Sequence, residues 1–307
     1  MADLTTNLGK LSLKNPVMTA SGTFGYGYEY SEFYPLARLG AVVVKGISPL
    51  PVAGNPMPRH HELHSGLLNA IGLQNPGVEK FLSDPEYLPF LRKSNAVTIV
   101  NIWGKSISEY RQVATLLDGV DGIDALEINI SCPNIKEGGI AFGTDLKLAR
   151  KVVSEVRKAT SFPLITKLSP NVTRIADFAK AVVDVGSDMI SLINTLTGMA
   201  IDIETRKPIL GNVIGGVSGP AIKPIALKLV YDVANAVDVP VIGMGGISNG
   251  SDAIEFLLAG ASAIGIGTAI FADPFAPLKI ISEINDYLDK NAYSSVSEII
   301  GKLEYHG

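Results

Sequence analysis

Cysteine and tryptophan are the residues this sequence has least of, one each in 307, and the cysteine is Cys132. A single thiol allows no internal disulfide, and it cannot alone ligate an iron–sulfur cluster, which needs several thiolates. Any such centre would have to sit on another subunit. Positive charge is also in short supply. The formal net charge is −4, which leaves no basic face for nucleic acid. No uninterrupted apolar run reaches the roughly 20 residues that span a bilayer. The opening Met1-Ala2-Asp3-Leu4-Thr5-Thr6-Asn7 has no signal-peptide character. A cytoplasmic protein with no membrane or nucleic-acid partner is expected. Histidine is scarce too. His60, His61 and His64 fall in a proline- and glycine-containing stretch whose spacing matches no firm metal motif. That stretch reads as a solvated loop, and no metal site is expected.

What the sequence does hold is apolar: hydrophobic residues make up 47% of it, enough to bury a large core. Short apolar runs recur at 41–45, 96–101, 126–131, 163–168, 189–194, 240–244 and 263–266, with a weaker one at 213–217 broken by Gly215-Gly216. Their near-continuous hydrophobicity is that of parallel strands buried on both faces. Between them, 107–117, 146–156, 175–185, 222–237 and 253–258 have helical spacing. Thr144-Asp145 and Ser251-Asp252 supply polar starts suited to capping. Eight strands alternating with helices predict one α/β domain over 1–307, a single (β/α)8 TIM barrel. The glycine-rich turn after the first strand that marks a doubly wound dinucleotide fold is not seen. An N-terminal β-hairpin, with Leu8, Leu11 and Leu13 around Gly9-Lys10, is expected to plug or flank the barrel. The connections 46–77 and 196–212 exceed ordinary turns, so these long loops are expected over the C-terminal face, covering a site or a partner.

The strand ends carry the chemistry, because in such barrels they line the site. In the stretch 126–131, Leu126, Ile128 and Ile130 share one parity while Glu127, Asn129 and Ser131 share the other. A strand sends alternate side chains to opposite faces, so the polar set points one way, to solvent or into a lumen. Pro133 keeps Cys132 extended, and Lys136, Gly138 and Gly139 make the next loop polar. Cys132 is either a small core residue or a reactive group at the mouth, and its position leaves both open. With it come Lys45, Asn101, Asn129, Lys167, Asn194 and Thr195. This set of amides, two lysines and a thiol suits a planar ligand with carbonyl and N–H edges and an anionic part. Gly245-Gly246 and Gly267-Thr268, after the last two strands, fit either tight packing or a phosphate held by backbone N–H groups.

These residues sit in motifs that resemble a known family over essentially the whole chain. The motifs are Ala20-Ser21-Gly22-Thr23, Lys45-Gly46, the run from Asn69-Ala70-Ile71-Gly72-Leu73 to Gly77, and Asn129-Ile130-Ser131-Cys132-Pro133-Asn134. Ile193-Asn194-Thr195, Gly243-Met244-Gly245-Gly246 and Ile266-Gly267-Thr268 complete the set. The chain resembles the cytosolic class of dihydroorotate dehydrogenases, most of all the catalytic subunit of the NAD-linked type.

The resemblance implies FMN across the barrel mouth, contacted by Ser21, Lys45, Gly46, Asn101, Asn129, Lys167, Ile193, Gly219, Gly245, Gly246, Gly267 and Thr268. It implies dihydroorotate or orotate held by Lys45, Asn69, Ala70, Ile71, Gly72, Leu73, Asn129, Asn194 and Thr195. Cys132 would be the catalytic base, with Lys45 and Lys167 as charge-stabilising groups beside it. FAD and a 2Fe–2S cluster would belong to an electron-transfer subunit, joined to a central pair of catalytic chains in a heterotetramer. Three other readings compete: a fumarate-linked homodimer, a flavoenzyme like dihydropyrimidine dehydrogenase, and a barrel that binds a phosphorylated ligand without redox chemistry.

Overall fold

The computed structural model describes residues 2–131, 136–137 and 140–306. One parallel sheet holds eight strands: β1 (Val17–Thr19), β2 (Val42–Val43), β3 (Thr98–Ile102), β4 (Ala125–Asn129), β5 (Leu164–Lys167), β6 (Met189–Leu192), β7 (Val241–Met244) and β8 (Ala263–Ile266). Each pairs with its neighbours in chain order, from β2 through β8 and on to β1. A parallel bridge between Met18 and Ala41 brings the two ends together. Thr19 secures that seam: its hydroxyl donates to the Val43 carbonyl at 3.2 Å and accepts from the Val43 N–H at 2.8 Å. With helices between successive strands, this is a (β/α)8 barrel.

The strand expected at 213–217 exists as Ile214–Ser218, but it lies outside the barrel. It pairs antiparallel with Leu196–Met199 on one side and Gly66–Asn69 on the other, and His60–Leu63 completes this second sheet. The eighth place in the barrel belongs to β1, a three-residue strand just after the hairpin. Both long connections therefore feed a single four-stranded flap. The His60–Leu63 stretch is a strand in that flap rather than a loop, because its backbone finds a ladder with Gly66–Asn69. His60 and Glu62 remain exposed on it, and His64 lies in the turn that follows.

The N-terminal hairpin, Thr6–Leu8 with Leu11–Leu13, buries Leu8, Leu11 and Leu13 and leaves Asn7 and Ser12 outside. The three leucines pack against Met18, Val43, Ile99, Ala125, Ile165, Met189, Ile242 and Ala263, one residue from each barrel strand. This cluster is the lower lumen, and the hairpin is its plug. Two residues further along a strand is the next position on the same face. Ile99 is thus followed by Asn101, Ala125 by Glu127, Ile165 by Lys167 and Met189 by Ser191. On these four strands the lumen changes from apolar to polar in one step, while β7 continues apolar with Met244.

Outside the barrel, helices cover the other strand face. The helix Leu146–Ala159 buries Ala149, Val152, Val153 and Val156, and its Asp145 cap accepts from the Leu148 N–H at 2.8 Å. The cap expected at Ser251-Asp252 is displaced: Asn249 accepts from the Asp252 N–H, so the helix begins at Gly250. The helix Ala276–Lys290, not read from the pattern, closes the shell after β8. Among the described residues no helix is long and apolar enough to cross a membrane.

Candidate active site

The flap lies over the C-terminal ends of the strands and leaves a cavity of about 1070 Å³ beneath it. That is slightly above the usual range for ligand sites, roughly 300–1,000 Å³. Lys45, Asn129, Lys167, Ile193 and Gly267 form its barrel side, and Leu67, Asn69, Gly216 and Ser218 come from the flap. Gly216 is required where it stands, since a Cβ there would fall 2.0 Å from the Thr195 hydroxyl oxygen. The segment 70–73 is held from behind. Asn55 Nδ2 donates to the Ala70 carbonyl at 3.0 Å, the Asn55 N–H to the Ile71 carbonyl at 3.0 Å, and the Ala70 N–H to the Arg59 carbonyl at 2.7 Å.

Below the cavity floor lies a polar layer built on Glu127, a carboxylate 2% exposed. Asn101 Nδ2 donates to its Oε1 at 2.6 Å and the Ser191 hydroxyl to its Oε2 at 2.8 Å. Lys167 Nζ stands 4.0 Å from Oε1 and 3.4 Å from the Ser21 hydroxyl. A buried ion costs several kcal/mol unless it is paired and hydrogen-bonded, and here both conditions hold. Asn101 Oδ1 is buried without a partner, a deficit of about 1–3 kcal/mol.

Two residues further along the same strand as Glu127, Asn129 Oδ1 accepts from the Ser131 N–H at 3.2 Å and the Ser131 hydroxyl at 2.8 Å. The donor end of this amide is what it offers a ligand. Asn69 shows the opposite polarity, its Nδ2 donating to the Gly216 carbonyl at 3.3 Å. The two amides thus present a donor and an acceptor across one space. Asn194 Nδ2 donates to the Ser131 hydroxyl at 2.7 Å, joining the end of β6 to the end of β4.

At the other side of the mouth, Gly245 and Gly246 both have positive φ, +129° and +78°. Behind them Asp252 accepts from the Ser248 N–H at 2.9 Å, the Ser248 hydroxyl at 2.8 Å and Lys223 Nζ at 2.7 Å. Burial acts to raise the Asp252 pKa, but the bonds from Lys223 and Ser248 outweigh it and hold the carboxyl below its ordinary 3.8. A lowered folded-state pKa gives stability that is present above the unfolded value and lost as pH falls through the folded one. Asp252→Asn is expected to flatten the acid limb of the urea midpoint as the pH falls below about 5.

Of the residues singled out in the sequence, Ser21, Lys45, 69–73, Asn129, Lys167, 193–195, Gly219, Gly245, Gly246, Gly267 and Thr268 line this one cavity. Gly46 and Asn101 are not in the lining but behind it, in contact: a Cβ on Gly46 would sit 2.7 Å from Asn101 Oδ1. Cys132, with Pro133, Asn134, Gly138 and Gly139, lies outside the described residues. Glu127 goes unselected in the sequence as a site residue, although its shared parity with Asn129 is the signal that marks it. His60 and Glu62 line the cavity as well, and nothing in their spacing foretells it. Among the described residues no group of three or more His, Cys, Asp or Glu side chains is placed to hold a metal.

A closed parallel barrel with lysines and amides at the lumen mouth, glycine turns after β7 and β8 and a flap above defines a class. It is a barrel that holds a ligand across its C-terminal face. The dihydroorotate dehydrogenase family model matches residues 3–288, and the chain belongs to that family. It is 56% identical over 297 residues to a protein of Alkaliphilus oremlandii, covering 97% of each chain. It is 55% identical over 304 residues to one of Bacteroides fragilis, covering 99% of this chain and 100% of the other. A third relative, from Geotalea uraniireducens, is 54% identical over 301 residues, 98% of each. All three are named dihydroorotate dehydrogenase B (NAD(+)), catalytic subunit.

Proposed function

We propose that this chain is the catalytic subunit of an NAD-linked dihydroorotate dehydrogenase, oxidising dihydroorotate to orotate in pyrimidine biosynthesis. The observation that carries the reading is the single cavity in which the family's lysines, amides and glycine turns meet under a flap. The names of the relatives favour NAD over fumarate as the final acceptor. We read residues 1–307 as one domain, acting in the cytoplasm.

The residues present fit FMN. Gly245, Gly246, Gly267 and Thr268, with Gly219, would hold its phosphate end, and the positive φ of Gly246 turns the backbone where a Cβ would strike the Gly219 carbonyl at 2.8 Å. Ser21, Lys45, Gly46, Asn101, Asn129, Lys167 and Ile193 would surround its ring. A bound FMN would supply the acceptor for the hydride that leaves C6 of dihydroorotate. Asn69, Asn129, Asn194 and Thr195 would orient the substrate ring by matching its carbonyl and N–H edges. Residues 70–73 would close over it and exclude water, while Lys45 would face its carboxylate. Cys132 Sγ would take the proton from C5 as the ring double bond forms.

A pair of catalytic chains would form the centre of the assembly. The NAD end would lie on an electron-transfer subunit carrying FAD and a 2Fe–2S cluster, making a heterotetramer. The test is direct. The purified chain is expected to be yellow, or to become so with FMN, and to bleach with dihydroorotate under anaerobic conditions but not with dihydrouracil. A colourless protein that cannot be reconstituted, or a preference for dihydrouracil, overturns the reading.

A further inference from the structure

Glu127 is the one carboxylate buried in the lumen polar layer described above, and nothing in the proposed chemistry uses it. It stands on an apolar floor, since the lumen residues beneath it are Ala125, Ile99, Ile165 and Met189, closed off by the hairpin leucines. Asn101 and Ser191 donate to its two oxygens at 2.6 and 2.8 Å, and the Lys167 ammonium stands at 4.0 Å. Two of these contacts have a consequence at the cavity. Because the carboxylate can only accept, Asn101 must turn its nitrogen toward Glu127 and its oxygen away. That oxygen is buried, unpartnered and set against Gly46, as an acceptor waiting for a donor would be. Lys167, which lines the cavity, has its charge balanced from below.

We infer that Glu127 is a positioning residue of the reaction centre: it fixes the amide of Asn101, counterbalances Lys167, and so sets how readily the bound ring accepts electrons. The inference rests on the flavin reading above. A ring that gains negative charge on reduction is stabilised by Lys167 and opposed by the carboxylate behind it. Removing the carboxylate charge leaves the ammonium unopposed and favours the reduced ring.

The experiment is the reduction potential of FMN bound to the full chain, measured by equilibration with a reference dye, for the native protein and for Glu127→Gln. Glutamine keeps the size; its oxygen can still accept from Asn101 and its nitrogen can donate to the Ser191 hydroxyl, so the layer stays hydrogen-bonded while the charge is lost. The expected result is retained FMN and a potential at least tenfold in equilibrium constant more positive, about 30 mV for a two-electron couple. An unmoved potential with FMN bound overturns the inference. If the single variant does not fold, the comparison is made between Lys167→Met, which leaves the carboxylate held by Asn101 and Ser191, and the double variant Lys167→Met/Glu127→Gln, which carries neither of the two charges. There too the loss of the carboxylate should raise the potential. Loss of the fold in every variant lacking the carboxylate would make Glu127 a structural residue and would also overturn the inference. The two readings separate cleanly. A native chain that takes up no FMN removes the flavin reading and this inference with it. A yellow native chain with an unmoved variant potential removes this inference alone.

Discussion

The Cys132→Ala protein is expected to remain yellow while dihydroorotate reduces its flavin about 10²–10⁴ times more slowly, the range one positioned base contributes. Stopped-flow absorbance under anaerobic conditions reads this half-reaction without any partner subunit. The expectation follows from how the strand end before Cys132 is held. Asn129 Oδ1 takes the Ser131 N–H and hydroxyl, the Asn129 carbonyl takes the Tyr110 hydroxyl at 2.7 Å, and Asn194 donates to the Ser131 hydroxyl. None of these bonds uses the thiol, so its removal leaves the anchoring of β4 intact. Cys132→Ser separates chemistry from shape. A hydroxyl is a far weaker acid than a thiol of pKa about 8.5, so serine should recover activity only at high pH. A native rate in Cys132→Ala would take the residue out of its role.

The parts of this molecule legible in the sequence are those governed by periodicity. In β4, Leu126 and Ile128 join the core under the helices, while Glu127 and Asn129 face the lumen, as their alternation requires. The apolar runs at 41–45, 96–101 and 263–266 announce parallel strands because both faces are covered. Two features escape for opposite reasons. Val17–Thr19 is too short to show any period, and its place is fixed by Thr19 reaching across to Val43, a contact 24 residues away. Ile214–Ser218 does show a strand, but its sheet is chosen by the register Gly216 to Asn69 and Thr197 to Gly216. Such pairings are decided by tertiary packing. The flap followed suit: long connections signalled a cover, yet not that 46–77 and 196–212 would share one sheet. Among the site residues, the terminal lysines and glycines stand out by type and position. Glu127 reads as one more polar residue until Asn101, Ser191 and Lys167 are seen around it.

The other large effect is expected at Gly246, where alanine should cut FMN affinity about 10- to 150-fold. Two costs meet there and can be separated. The backbone has φ +78°, a conformation that costs an L-residue roughly 1–2 kcal/mol. The added Cβ would also stand 2.8 Å from the Gly219 carbonyl oxygen and 2.9 Å from Lys223 N, so the turn must shift to relieve the contact. A shift that breaks one charge-assisted hydrogen bond to phosphate removes about 1.5–3 kcal/mol, which is the stated fold-change at 1.4 kcal/mol per tenfold. Gly9→Ala isolates the first cost. Gly9 has φ +65° in the hairpin plug and nothing within 4 Å of its Cβ position. It should lose a similar increment of stability and keep its flavin. Equilibrium dialysis of FMN, paired with urea midpoints for both variants, measures the two quantities. Equal flavin affinity in Gly246→Ala and Gly9→Ala would place the phosphate elsewhere on the barrel.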